Sequence, residues 1–90
     1  MKTSPKRAYD AISAALADQA DVRLVTSDYD AEIFGNFHLA YWRKDRAVSI
    51  VLDRGQLFLC DDLQAEKCRM VGDLFDSDET AILEALRPEW

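Results

Sequence analysis

The sequence predicts one α+β domain, in which an N-terminal helix, an antiparallel meander sheet of about four strands and a C-terminal helix follow one another. Two observations lead to this class. Apolar residues recur every three or four positions near both ends of the chain, whereas they alternate with polar residues in the middle. A chain of 90 residues has room for one hydrophobic core, so we expect residues 1–90 to form a single domain with both helices on one face of the sheet.

The first helix is predicted over residues 5–19. Ser4 is a favoured N-cap residue, and Pro5 is favoured in the first turn because an amide hydrogen there would have no partner within the helix. Tyr9, Ile12 and Leu16 follow at spacings of three and four, which places them on one side of the helix. This apolar stripe is expected to cover the sheet.

Four strands are predicted in the middle of the chain, at residues 22–26, within 33–42, at 47–53 and at 56–60. A polar, acidic turn is expected at 27–32, and a charged connection at 43–46. Arg54 and Gly55 form a two-residue hairpin turn in this prediction, since glycine adopts the positive φ that such turns require. Connections this short join antiparallel neighbours, which is why the sheet is predicted to be a meander.

Residues 61–73 leave two alternatives open, because the later part of this stretch fits a short edge strand as well as a turn of helix. The last helix is expected to begin near Asp76 or Ser77, where Asp76 and Glu79 resemble a capping box. Its apolar face consists of Ile82, Leu83 and Leu86. Pro88 ends the helix because proline disrupts a helix interior.

The alternation gives the predicted sheet two different faces. The apolar face, expected to lie under the helices, consists of Phe37, Leu39, Tyr41, Val48, Ile50 and Leu52. The opposite face carries His38, Ala40, Trp42, Ser49 and Val51. Two alternatives remain open for that opposite face: it is exposed as a binding surface, or the segment 61–75 folds over it.

Charge is the strongest compositional signal. The formal net charge is −6, which disfavours direct binding to nucleic acid or to an anionic membrane because phosphate groups repel acidic chains. Residues 61–90 contain nine acidic and three basic side chains, so the last third carries the imbalance. Two acidic groups stand out: Asp73, Asp76, Asp78 and Glu79 near the last helix, and Asp28, Asp30 and Glu32 in a predicted loop. The first group either complements the helix dipole or attracts a basic partner.

Patterns that mark known chemistry are missing from the sequence. The acids at positions 28, 30 and 32 resemble the start of a calcium loop, but Ile33 stands where that loop needs glycine. His38 is the only histidine, and Cys60 and Cys68 do not have the Cys-x-x-Cys spacing of zinc sites. We therefore expect no metal, no cofactor and no enzymatic activity.

The expected compartment is the cytoplasm. The basic residues at the N-terminus are not followed by the apolar run of a signal peptide, and no stretch approaches the length that crosses a bilayer. In a reducing cytoplasm, Cys60 and Cys68 are expected to remain free thiols.

Two stretches carry a resemblance to known proteins. Residues 29–36 end in Phe34-Gly35-Asn36, and residues 50–58 contain Asp53-Arg54-Gly55-Gln56. On these motifs the chain resembles, from about residue 22 to 86, a group of small bacterial proteins, most of them uncharacterised. Some similar small acidic proteins are regarded as immunity proteins of contact-dependent or polymorphic toxin systems. The resemblance implies a function of that type; it assigns no individual site residue, and residues 64–71 depart from the group's pattern.

The expected function is therefore a non-enzymatic, cytoplasmic protein-binding module, most specifically an immunity-type inhibitor that occludes a basic toxin or nuclease domain. The candidate contacts are Asp28, Asp30, Glu32, Asp73, Asp76, Asp78 and Glu79, with Trp42 or Trp90 as an aromatic anchor. Two alternatives stay open. One is a homo-oligomerising structural module, such as a homodimer that buries the second sheet face against itself. The other is a phage or plasmid inhibitor that mimics DNA.

Overall fold

The computed structural model describes residues 1–87, so Pro88 and the candidate anchor Trp90 lie outside the described residues. Its elements are α1 (Pro5–Ala17), β1 (Val22–Asp30), β2 (Asn36–Arg43), β3 (Arg46–Asp53), β4 (Gln56–Cys60), β5 (Cys68–Asp73) and α2 (Glu79–Leu86). The strands form one antiparallel meander in the order β1-β2-β3-β4-β5. The predicted α+β class is confirmed, with a fifth strand at the edge.

The hydrophobic core lies between the two helices and one face of the sheet, called here the inner face. From the helices it takes Ala8, Ile12, Leu16, Ile82 and Leu86. From the inner face it takes Phe37, Leu39, Tyr41, Val48, Ile50, Leu52, Leu57 and Leu59. All six residues of the predicted apolar face are therefore in the core. The opposite face is called the outer face.

The hairpin between β3 and β4 shows why glycine is needed in it. Arg54 and Gly55 have φ values of 51° and 84°, the left-handed backbone that matches the twist of two-residue hairpins. A Cβ atom on Gly55 would lie 2.7 Å from Cε2 of Phe75, closer than carbon atoms approach. The turn and the segment after β5 thus pack directly against each other.

Strand β1 is longer than predicted. The sequence favours a turn at 27–32, but the pairing of β1 with β2 continues from Ser27 opposite Leu39 to Asp30 opposite Asn36. The turn itself comprises residues 31–35. Hydrogen bonds of the sheet therefore override the turn preference of these polar residues, and this carries the loop acids Asp28 and Asp30 onto the sheet.

The outer face is covered by a loop at its centre and open on both sides of that loop. Ser49 is fully buried there, and its Oγ donates to the carbonyl oxygen of Asp62 at 2.6 Å. The loop 61–67 therefore covers the centre of the outer face. The outer face stays open on both sides of this loop, where His38, Val51 and Trp42 are only partly buried.

The expectation of free thiols is wrong for this structure. Cys60 and Cys68 are direct neighbours in the β4–β5 ladder, with Cα atoms 4.0 Å apart, and form a disulfide. The sequence did not reveal the bond, because the pairing depends on residues 68–73 forming β5, which was one of two open alternatives. The bond ties the edge strand to the rest of the sheet and closes the loop over Ser49.

Candidate functional site: an acidic row on the outer face

Three acidic residues lie in a line across one end of the outer face. Asp30 at the end of β1 pairs with Asn36, Asp53 at the end of β3 pairs with Gln56, and Gln56 pairs with Asp73 of β5. Since adjacent strands are about 4.8 Å apart, successive acids of this line are about 10 Å apart. We call Asp30, Asp53 and Asp73 the acidic row. The sheet thus places Asp30, which was predicted to lie in a loop, in one line with Asp73 from the C-terminal third.

An open depression of about 580 Å³ adjoins the row. Asp28, Asp30 and Asp53 line it together with His38 and Val51. No ion pair joins any of these three carboxylates to a basic residue within residues 1–87. Nε2 of His38 is buried and has no hydrogen-bond partner among the same residues. The depression is therefore an uncompensated negative site with an unused polar atom in its wall.

The two stretches that carry the resemblance meet at this row. Nδ2 of Asn36 donates to Oδ1 of Asp53 at 3.2 Å, and the backbone N–H of Arg54 donates to Oδ1 of Asn36 at 2.9 Å. The guanidinium group of Arg54 lies 5.5 Å from the ring centre of Phe34. These motif residues hold two turns together and orient Asp53. The sequence analysis did not select Asp53 as a site residue. The available signal was that Asp53 begins one of the two motifs that carry the resemblance.

Exposed apolar side chains border the acidic row. Ile33 and Phe34 in the turn before β2 are both more than half exposed, and so is Phe75 just after β5. Met70 is also exposed and pairs with Phe58 across the open part of the outer face. Exposed aromatic and Met side chains are enriched at protein interfaces, where a polar rim surrounds them.

Two of the other predicted acids flank the row. Glu32 is exposed in the turn 31–35, and its backbone N–H donates to Oδ1 of Asp30 at 3.0 Å. Asp76 is exposed in the turn after β5, and its N–H donates to Oδ1 of Asp73 at 2.8 Å. Both turns therefore fix a carboxylate of the row and add a second charge beside it.

Asp78 and Glu79 lie elsewhere and have structural partners. Asp78, rather than the expected Asp76, is the N-cap of α2, because its Oδ1 accepts the N–H of Ala81 at 2.9 Å. Oε1 of Glu79 lies 2.6 Å from Nε of Arg7, and the two side chains form an ion pair between the two helices. The structure does not bring these acids together with the row.

Trp42 is also remote from the row. It lies near the opposite end of β2, partly buried on the outer face, and pairs with Arg23 and Ala47. Among the described residues, the exposed aromatic side chains near the row are Phe34 and Phe75, and Trp42 adjoins neither the row nor the depression.

Another charged contact lies on the helix side of the sheet. A hydrogen bond of 2.8 Å to Asp10 raises the pKa of Lys6, whose ammonium group also lies over the rings of Tyr9 and Tyr29.

Within residues 1–87 there is no group of three or more His, Cys, Asp or Glu residues placed to hold a metal ion.

Neither helix in the described part of the chain is long and apolar enough to cross a membrane. The chain matches no protein-family model, no curated protein and no solved structure.

Proposed function

We propose that this protein is a non-enzymatic binding module whose acidic row receives a basic surface of another protein. The more specific proposal is an immunity-type inhibitor that occludes a basic toxin, such as a nuclease domain. The observation that carries the proposal is that different strands hold three carboxylates in a line, Asp30, Asp53 and Asp73, none of which has an ion pair with another described residue. Exposed apolar side chains beside them supply the contact area that charge alone does not.

Physical chemistry favours a basic partner for two reasons. Carboxylates that have no ion pair among the described residues lose none when a lysine or arginine approaches, so the attraction to the partner is reduced by desolvation but not by the loss of an internal ion pair. The acids of the row also lie on strands, and a hydrogen bond from Asn36 holds Asp53 in place. Few side chains must therefore become ordered on binding. Basic residues that grip phosphates in a nuclease match such a surface.

The proposal places the protein in the cytoplasm, where a nuclease toxin reaches its substrate. In that compartment the Cys60–Cys68 bond is expected to be reduced, and β5 then depends on its ladder with β4 alone. The alternative in which the whole outer face is buried against a second copy is disfavoured, because the loop 61–67 covers the centre of that face.

The test is a tagged capture from a lysate of the native host, at low and at moderate salt, followed by mass spectrometry. The bait is the wild-type chain, and a second bait carries Asp30→Asn, Asp53→Asn and Asp73→Asn. An asparagine carbonyl still accepts the backbone or side-chain hydrogen bonds that these acids receive. A control bait carries Asp18→Asn, Glu66→Gln and Glu84→Gln, which removes the same charge from exposed positions away from the row.

We expect one basic protein to be captured by the wild-type and control baits and lost with the row variant and with added salt. The captured protein is then purified and its activity measured with and without the wild-type chain, and inhibition is the expected result. Equal capture by all three baits would contradict the row assignment. A purified complex without inhibition would refute the immunity-type function while leaving binding at the row intact.

A further inference from the structure

The edge strand β1 is an unusual surface for a monomer. It is nine residues long, it pairs only with β2, and its side chains Leu24 and Val25 are 50% and 53% exposed. Among the described residues, the backbone N–H and C=O groups on the side of β1 away from β2 have no ladder partner. The strand at the other edge, β5, is shorter, with six residues. An edge like β1 is a template for one more strand.

A bulge in β1 determines which strand fits. The ladder pairs Leu24 with Tyr41 and Thr26 with Ala40, so Val25 is an extra residue in β1. Because of it, the alternation between inner and outer face reverses in the middle of the strand. A regular strand would match the faces of only one half of β1, whereas a strand with the same bulge matches both halves.

A second copy of β1 supplies such a strand. With a two-fold axis through the centre of the bulge, Arg23 lies opposite Asp28 of the second copy, and both are on the outer face. Leu24 lies opposite Ser27 of the second copy, and both are on the inner face. The symmetry repeats each pair, so the contact is isologous and closes as a dimer.

Arg23 and Asp28 complement each other in this register, whereas Asp30 lies opposite Asp21 of the second copy, an acid whose charge is paired with Arg43 of its own chain. Neither Arg23 nor Asp28 has an ion-pair partner among the described residues. The two-fold axis gives both of them one, twice in each dimer. Opposite charges directly across two strands stabilise the pairing, and like charges there weaken it.

The helices also permit this contact. Helix α1 packs over β1 and β2, so in a continuous sheet the two copies of α1 would lie about 10 Å apart, a normal distance for packed helices. The side of α1 toward the edge has small residues such as Ser13 and Ala17, and with Val22 and Leu24 they line an apolar groove of about 190 Å³. The groove continues the contact beyond the strand.

We propose that this chain forms a two-fold symmetric homodimer by antiparallel pairing of β1 with β1 of a second copy, which gives one sheet of ten strands. This goes beyond the proposed function: it uses the sheet edge and leaves Asp53 and Asp73 open for another partner. Since a single strand edge is small for a specific interface, the dimer is expected to dissociate in the micromolar range.

The experiment is sedimentation velocity across the micromolar range at low salt, with the purified chain alone. Arg23→Asp and Asp28→Arg are tested singly and together, with Lys67→Asp as a control that changes exposed charge away from β1. Each single variant places like charges opposite each other twice per dimer, so we expect the dissociation constant to rise about tenfold or more. The double variant swaps the charges and should return it to within about threefold of the wild-type value.

Hydrogen exchange of the β1 amides gives a second measurement, because their protection should rise with protein concentration in the wild-type chain and in the double variant. A chain that stays monomeric over the whole range would overturn the proposal. A dimer whose dissociation constant is unchanged in the single variants would also overturn it, since that dimer must use another surface. Circular dichroism confirms that each variant is folded.

Discussion

The acids at the start of α2 and the acids of the row differ in whether another described residue neutralises their charge. Asp78 and Glu79 at the start of α2 each have an internal partner, a backbone N–H in one case and the Arg7 guanidinium in the other. Asp30 and Asp53 in the acidic row also accept hydrogen bonds, but no described basic residue neutralises them. Acids whose charge is used inside the molecule stabilise it, and acids whose charge is left open are available to a partner.

The largest effect on this comparison is expected from Asn36→Ala. Asn36 donates to Asp53 and accepts from the N–H of Arg54, so its loss frees the row's central carboxylate and loosens the hairpin turn. We expect the free energy of unfolding to fall by about 1–2 kcal/mol, measured by urea denaturation followed by circular dichroism. Gln56→Ala is the control, because this exposed amide of the same row makes no side-chain hydrogen bond with a described residue.

An equal loss of stability in both variants would mean that the two hydrogen bonds of Asn36 do not stabilise the fold. Either amide would then contribute only its strand propensity. The row would then lack the rigid central acid on which the comparison with α2 depends. Weaker binding of a captured basic partner to Asn36→Ala, with Asp53 still present, would sharpen the comparison by showing that orientation as well as charge matters.

Local sequence signals predict some parts of this molecule well and others poorly. The helical spacing of Ile12 and Leu16 and the alternation through Ile50 and Leu52 are local patterns, and all four residues are in the core as expected. The row could not be predicted because it depends on register across five strands: Asp30 was assigned to a loop, and Asp73 to a segment with two open conformations. Charge clusters along the chain were therefore a poor guide to charge clusters in space.

The cap of α2 allows a sharp intermediate test. Asp78→Ala removes the carboxylate that accepts the Ala81 N–H, so we expect a loss of about 1 kcal/mol in the free energy of unfolding. The control is Asp76→Ala, the cap expected from the sequence, which should change stability by less than about 0.5 kcal/mol. Urea denaturation of the two variants side by side gives the answer. A greater loss in Asp76→Ala would move the helix start back to the sequence-based position.

Glu79→Gln should produce the smallest effect and tests the comparison most directly. The Arg7 side chain in its ion pair is 72% exposed, so water and salt screen the attraction, and we expect a loss of about 0.5 kcal/mol that disappears at high salt. The row variant Asp30→Asn/Asp53→Asn/Asp73→Asn, which loses no ion pair among the described residues, should show no salt-dependent loss and instead gain slightly from reduced repulsion. Urea denaturation at low and high salt measures both. If the row variant lost stability as Glu79→Gln does, its carboxylates would have internal partners, and the distinction between structural and available acids would not hold.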